Sequence, residues 1–149
     1  MTPERPTPDP RPLLSGVPPD HHGRGERILH VDDEPTVTTA LRRLLEKLGY
    51  SIVSFNSPHA AADHFRGTPA AFDLVLTDMM MPGMNGHELA EIVRAHRPEL
   101  PIVLLSAYAD GHDRQGAAKG PFREIVLKPA GITVIAAALR RALERPVGG

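Results

Sequence analysis

The 149 residues suit one ordinary domain, and 41% hydrophobic residues supply a core that a wholly disordered chain would lack. Lys+Arg 17 against Asp+Glu 18 leave a net charge of −1, which offers no basic patch for nucleic acid or an anionic membrane. Cysteine is absent, which excludes a disulfide framework, a thiolate metal site and a thiol nucleophile, and no apolar run approaches the roughly 20 residues that cross a bilayer.

Residues 1–26 are rich in proline (Pro3, Pro6, Pro8, Pro10, Pro12, Pro18, Pro19) and poor in apolar residues (Leu13, Leu14, Val17). Proline breaks helices and ladders, and so few apolar groups cannot offset the entropy of ordering, so the segment is expected to be a flexible tail or linker. It carries no apolar signal-peptide core, and the expected location is the cytoplasm. His21 and His22 form a pair without further ligands and are read as solvated tail residues. From Arg27 short β-branched runs appear: Ile28–Val31, Ile52–Phe55, Leu74–Thr77, Ile102–Leu105 and Ile125–Leu127. Such near-continuous runs suit strands buried on both faces of a parallel sheet. Between them lie helical stripes. Val37, Leu41, Leu44, Leu45 and Leu48 make the first. Ser57-Pro58 predicts a cap and first residue of a second helix, with Ala60, Ala61 and Phe65 inward. Leu89, Ile92 and Val93 make a third, and Ile135, Leu139, Ala142 and Leu143 the last. Gly49, Pro98 and Pro146 mark helix stops. A weak helix is expected from Ala109 to Gly120, where Gly111, Gly116 and Gly120 each lower helix propensity by about 1 kcal/mol relative to Ala. The alternation predicts an open, doubly wound α/β domain over 27–145, with a short tail at 146–149.

In such sheets ligands bind beyond the carboxyl ends of the strands. Asp32-Asp33-Glu34 follows the first strand, Asp78 the third, Ser106 the fourth and Lys128-Pro129 the fifth; the second strand lacks a polar signal of this kind. Clustered carboxylates repel one another, and a hard divalent cation such as Mg²⁺, which favours oxygen ligands, relieves that repulsion. Lys128 adds a compact positive charge and Ser106 a hydroxyl donor. Together they describe a pocket for a transferred phosphoryl group, with Asp78 as carboxylate nucleophile and Asp32 and Asp33 as metal ligands. Each residue alone also has a plainer reading: an Asp pair as a helix cap, Lys-Pro as a loop start, a Ser as a turn, Asp78 as a turn opener. A Mg²⁺-dependent aspartyl-phosphate phosphohydrolase is the rival from another class. It would place a second Asp two residues after the nucleophile as acid and base, where this chain has Met80. A module that only binds partners, independently of phosphorylation, is the third reading.

The segments Ile28-Leu29-His30-Val31-Asp32-Asp33-Glu34-Pro35, Asp73 through Gly86, Ser106-Ala107 and Leu127-Lys128-Pro129 resemble the receiver domains of two-component response regulators. The resemblance runs from about Arg27 to Glu144 and leaves two placements open, a free-standing receiver or the receiver end of a hybrid sensor histidine kinase. It implies a flavodoxin-like (βα)5 three-layer sandwich with a parallel five-stranded sheet in the order 2-1-3-4-5. It further implies that Asp78 is the phosphoacceptor, that Asp33 and the Met80 carbonyl ligate Mg²⁺ with Asp32 beside them, and that Ser106 is the switch hydroxyl. Lys128 then holds Asp78 before phosphorylation and the phosphoryl group after it, with a Lys128–Pro129 bond that is often cis. The implied partners are a histidine kinase or histidine phosphotransfer domain upstream and a protein downstream, with no nucleic acid and no membrane. On this reading the chain is not an enzyme acting on other substrates, but it catalyses its own phosphorylation and dephosphorylation. Ile125 stands where receivers often carry a Phe or Tyr, with Phe122 off register, so the output is expected to travel through the Gly-rich fourth helix. Met80 and Tyr108 flank the path of attacking water and imply slow self-dephosphorylation.

Overall fold

Parallel strands need crossovers, and crossover helices must cover both faces of the sheet. A computed structural model describes residues 16–107 and 120–144 and shows that arrangement. Its strands are β1 (Arg27–Val31), β2 (Ser51–Phe55), β3 (Leu74–Asp78), β4 (Ile102–Ala107) and β5 (Glu124–Lys128). The α-helices among the described residues are α1 (Pro35–Lys47), α2 (Pro58–Gly67), α3 (Gly86–His96) and α4 (Ile132–Glu144). All strand pairs are parallel, in the order β2-β1-β3-β4-β5. The helix expected at 109–120 lies outside the described residues except for Gly120.

Alternation along each strand builds two cores. Ile28, Leu74, Leu76, Val103 and Leu105 face α1 and α4, where Leu41, Leu45, Ile135 and Leu139 meet them. Leu29, Val31, Val75, Ile102 and Leu104 face α2 and α3, where Phe65, Leu89 and Val93 meet them. Each fully buried Leu, Ile or Phe contributes about 1.5–3 kcal/mol of transfer free energy. The helix starts are local. Ser57 caps α2 by accepting from Ala60 N at 3.2 Å. Asn85 and Glu88 form a capping box at α3, with both bonds at 2.8 Å. Two inward assignments change. Ala60 is exposed and Ala62 is buried, because the face of α2 that packs inward carries Pro58, Ala61, Ala62 and Phe65. Val37 sits at the rim, 36% exposed, while Thr38 turns in and donates to the Pro35 carbonyl.

The expected tail is shorter than 1–26. Residues 16–26 form a strap across the lower seam between α1 and α4. Val17 is 6% exposed and belongs to the α1/α4 core. Gly23 N donates to Leu48 O and Gly25 N to Gly49 O, both at 2.8 Å. Gly49 must be glycine twice over: its φ is +109°, and a Cβ would lie 2.5 Å from the Gly23 carbonyl oxygen. Arg140, on α4 and 5% exposed, bridges Glu26 at 2.9 Å and Glu144 at 3.2 Å and donates to the His22 carbonyl at 3.1 Å. Hydropathy counting misses this strap because backbone hydrogen bonds and one buried guanidinium hold it.

His30 lies on β1 in the core, fully buried, with neither ring nitrogen hydrogen-bonded. Burial, helped by the charge of Lys128, pushes its pKa from 6.5 down to about 4. The neutral ring is the folded form, so this contribution is intact above 6.5 and is lost as pH falls towards 4. His30→Leu should therefore flatten the decline in urea midpoint across that window; an unchanged decline would assign the acid sensitivity to other groups. Arg140→Ala leaves Glu26 without its buried partner. The Gly23 and Gly25 amides should then lose hydrogen-exchange protection while Leu76 on β3 keeps it; unchanged protection at both glycines would show that the strap holds without Arg140.

Candidate functional site

The strand order brings four strand ends to one rim. β3 is central, so Asp78 at its last position lies between the ends of β1 and β4. Asp78 pairs in register with Leu105, Ser106 with Leu127, and Ala107 with Lys128. Asp32 and Asp33 follow β1 directly.

Carboxylate oxygens of Asp32, Asp33 and Asp78 all lie within 4.8 Å of one another. Lys128 Nζ is 2.9 Å from Asp78 Oδ1 and 3.9 Å from Asp32 Oδ2, so one ammonium serves two carboxylates. Asp78 Oδ1 also accepts from Met79 N at 2.9 Å. Asp32 is 1% exposed, and Asp32 Oδ1 accepts from Glu34 N at 2.9 Å. Asp32 Oδ2 is buried and has no hydrogen-bond partner. Burial raises the Asp32 pKa, and the charges of Asp78 and Asp33 add to the rise; the Glu34 N–H and Lys128 oppose it. A buried carboxylate oxygen without a hydrogen bond, among two further carboxylates and with its ammonium 3.9 Å away, is the environment that a hard, oxygen-seeking divalent cation satisfies. The donor set fits Mg²⁺.

Ser106 is fully buried, and its hydroxyl donates to the Ala107 carbonyl at 3.3 Å. The Lys128–Pro129 bond is cis. The Met80 side chain is 63% exposed at the mouth of the site, while Met79, Met81 and Met84 are buried at 5–8%. Phe122 is 3% exposed and stacks edge-on against His87 with centroids 5.2 Å apart, and Ile125 packs against the α2/α3 core. Tyr108 lies outside the described residues.

Two positioning residues were not legible in the motif. β2 does contribute a polar residue: Asn56, which follows it, donates to the Asp32 carbonyl and to Thr38 Oγ1, both at 2.9 Å. Asn56 ties the acidic turn to α1, and an Asn directly after an apolar run was the available signal. Gly86 opens α3, and a Cβ there would stand 2.6 Å from the Asp78 carbonyl oxygen and 3.2 Å from Met79 Cα. Gly86 N donates to Met79 O at 2.8 Å, closing the 79–85 loop against the end of β3.

The family model for the response regulator receiver domain matches residues 28–140. Sensor protein GacS of Pseudomonas syringae pv. syringae is 34% identical over 125 residues, covering 80% of this chain and 14% of that protein. The response regulator TrrA of Thermotoga maritima, solved in complex with Mg²⁺-BeF, superposes with a TM-score of 0.70 at 30% identity, covering 79% of this chain and 99% of the other. TrrA bound to histidine kinase ThkA gives a TM-score of 0.69 at 31% identity, covering 80% and 99%. The chain thus spans only 14% of the length of GacS, and nothing of the remainder of that protein is carried over. No described helix is long and apolar enough to cross a membrane. The rim of carboxylates and one lysine, the 2-1-3-4-5 sheet and the match over 28–140 agree: the chain belongs to the response regulator receiver domain family of two-component signalling.

Proposed function

We propose that Asp78 is the phosphoacceptor, taking its phosphoryl group from a phosphohistidine on a kinase or phosphotransfer domain. The observation that supports this most directly is the Lys128–Asp78 contact of 2.9 Å beside the two acidic residues after β1. Asp78 offers a carboxylate at the centre of the sheet edge, with one oxygen held by Lys128 and Met79 N. Its attack forms a P–O bond as the P–N bond to imidazole breaks, and the imidazole leaves with the bonding pair and takes a proton from water. Asp32, Asp33, Asp78 and the Met80 carbonyl would hold Mg²⁺, which when bound offsets the charge of the phosphoryl oxygens. Lys128 follows that charge from the carboxylate to a phosphoryl oxygen, and the Ser106 hydroxyl reorients from Ala107 O towards it.

A kinase partner is suggested by the likeness to TrrA in its complex with ThkA. The downstream partner would be a protein reading the altered surface after β4 and β5. With Met80 at the second position after Asp78, the chain lacks the carboxylate that a phosphohydrolase of this type uses to protonate its leaving group. The Met80 thioether at the mouth supplies no base to activate water, which supports a slowly hydrolysed phosphoaspartate.

Incubation with phosphoramidate and Mg²⁺ should label the protein once per chain, and Asp78→Asn should abolish labelling. Turnover of many equivalents would favour the hydrolase, and failure to label would favour a module that only binds partners. Lys128→Ala should slow labelling by roughly 10²-fold, as expected when a preorganised charge at a developing anion is removed. A rate within a factor of two of the wild type would remove Lys128 from the mechanism.

A further inference from the structure

A backbone bond carries the β1–β2 pairing one step past the strands, from Asp32 N to the Phe55 carbonyl at 3.1 Å. The next rung of a parallel ladder needs an N–H from the β2 side to meet the Asp32 carbonyl. The Asn56 side chain supplies it, donating from Nδ2 at 2.9 Å. The same nitrogen donates its other proton to Thr38 Oγ1, also at 2.9 Å. Thr38 is 4% exposed on α1, and its hydroxyl donates onward to the Pro35 carbonyl at 3.0 Å. The bonds therefore run in one direction, from Asn56 through Thr38 to the first residue of α1, and every donor along them is used. Glu34, the residue before α1, makes no side-chain cap bond, so the helix is not fastened to the acidic turn by a cap of its own.

That turn carries a load. Carboxylate oxygens of Asp32 and Asp33 lie within 4.8 Å of one another and of Asp78, and their repulsion pushes the turn away from β3 when no cation stands between them. Asp32 Oδ2 is buried without a hydrogen bond, and Lys128 is 3.9 Å from it. The geometry of the acidic pair thus depends on what grips its backbone. Outer hydrogen bonds that orient metal-binding side chains are typically worth about 10–100-fold in metal affinity.

We propose that Asn56 and Thr38 act together as positioning residues that set the Mg²⁺ affinity of the acidic turn, holding Asp32 and Asp33 in place for the metal without touching it. This rests on the Mg²⁺ part of the proposed function and is independent of phosphoryl transfer to Asp78.

The test is Mg²⁺ titration of the full chain by calorimetry, with urea midpoints measured in the absence of metal. Asn56 lies at the surface, so Asn56→Ala removes the donor without opening the core. Thr38→Val keeps the shape of the buried side chain and removes the hydroxyl, and Thr38→Ser keeps the hydroxyl. Asn56→Ala and Thr38→Val should each raise the Mg²⁺ dissociation constant about tenfold, and Thr38→Ser should stay within a factor of two of the wild type. Because the two residues act through one chain of bonds, the double variant N56A/T38V should also be weakened about tenfold and not about a hundredfold. In the metal-free protein, Asn56→Ala should speed hydrogen exchange at the Asp32 and Glu34 amides while Leu76 on β3 is unaffected. Lower urea midpoints with unchanged Mg²⁺ affinity would overturn the proposal and leave the pair a purely structural role. Equal weakening by Thr38→Ser and Thr38→Val would overturn it by removing the hydroxyl from the account. Mg²⁺ binding by the wild type with unaltered variants would reject this brace alone, whereas a wild type that binds no Mg²⁺ would remove the metal reading and the brace with it.

Discussion

Charge repulsion among carboxylates is the constraint around which this domain is arranged. Three acidic side chains meet within 4.8 Å, one of them almost wholly buried, and such a cluster is unfavourable unless positive charge is supplied. Lys128 supplies part of it by reaching from the end of β5 to Asp78 on β3, with β4 between them. One ammonium cannot neutralise three carboxylates, and the remaining deficit suits a divalent cation. An electrostatic imbalance held in place by the sheet is thus the basis of the proposed switch.

Holding that imbalance requires stiff surroundings. The Asp32 turn is fastened from β2 by Asn56, and the loop after Asp78 is closed by the Gly86 amide and the capping box of α3. Behind the acidic turn, His30 occupies the core in its neutral form without a hydrogen-bond partner, an arrangement that favours the folded state only while the ring stays uncharged. These devices lie within the span shared with the receiver family, whereas the strap at 16–26 lies before it. The buried Arg140 links the two, since it sits on α4 yet bonds to the strap at His22 and Glu26. The strap therefore ties a segment that precedes the family match to α1 and α4.

Much of this was legible before any coordinates. The five strands appear as β-branched runs because a strand buried on both faces must be apolar throughout, and the observed strands extend those runs by only one or two residues. Asp32, Asp33, Asp78, Ser106 and Lys128 stood out because each directly follows such a run, and a parallel sheet sends all its strand ends to one edge. The Ser57-Pro58 start of α2 was equally local, since a cap is a matter of neighbouring residues.

Other features depend on groups far apart in the chain, and no local pattern carries them. That Ala62 and not Ala60 faces inward follows from how α2 meets the sheet. Gly86 matters because the Asp78 carbonyl passes within contact of it, and Gly49 because the strap runs over its Cα. Asn56 gained its role from a turn 24 positions earlier, and Arg140 from a carbonyl 118 positions away. Val17, read as part of a solvated tail, is buried because α1 and α4 leave a seam of its size. Periodicity and strand-end chemistry are properties of short segments and could be read from residue order. Close approach, long-range pairing and the filling of seams exist only once the chain has folded, and the tertiary structure alone decided them.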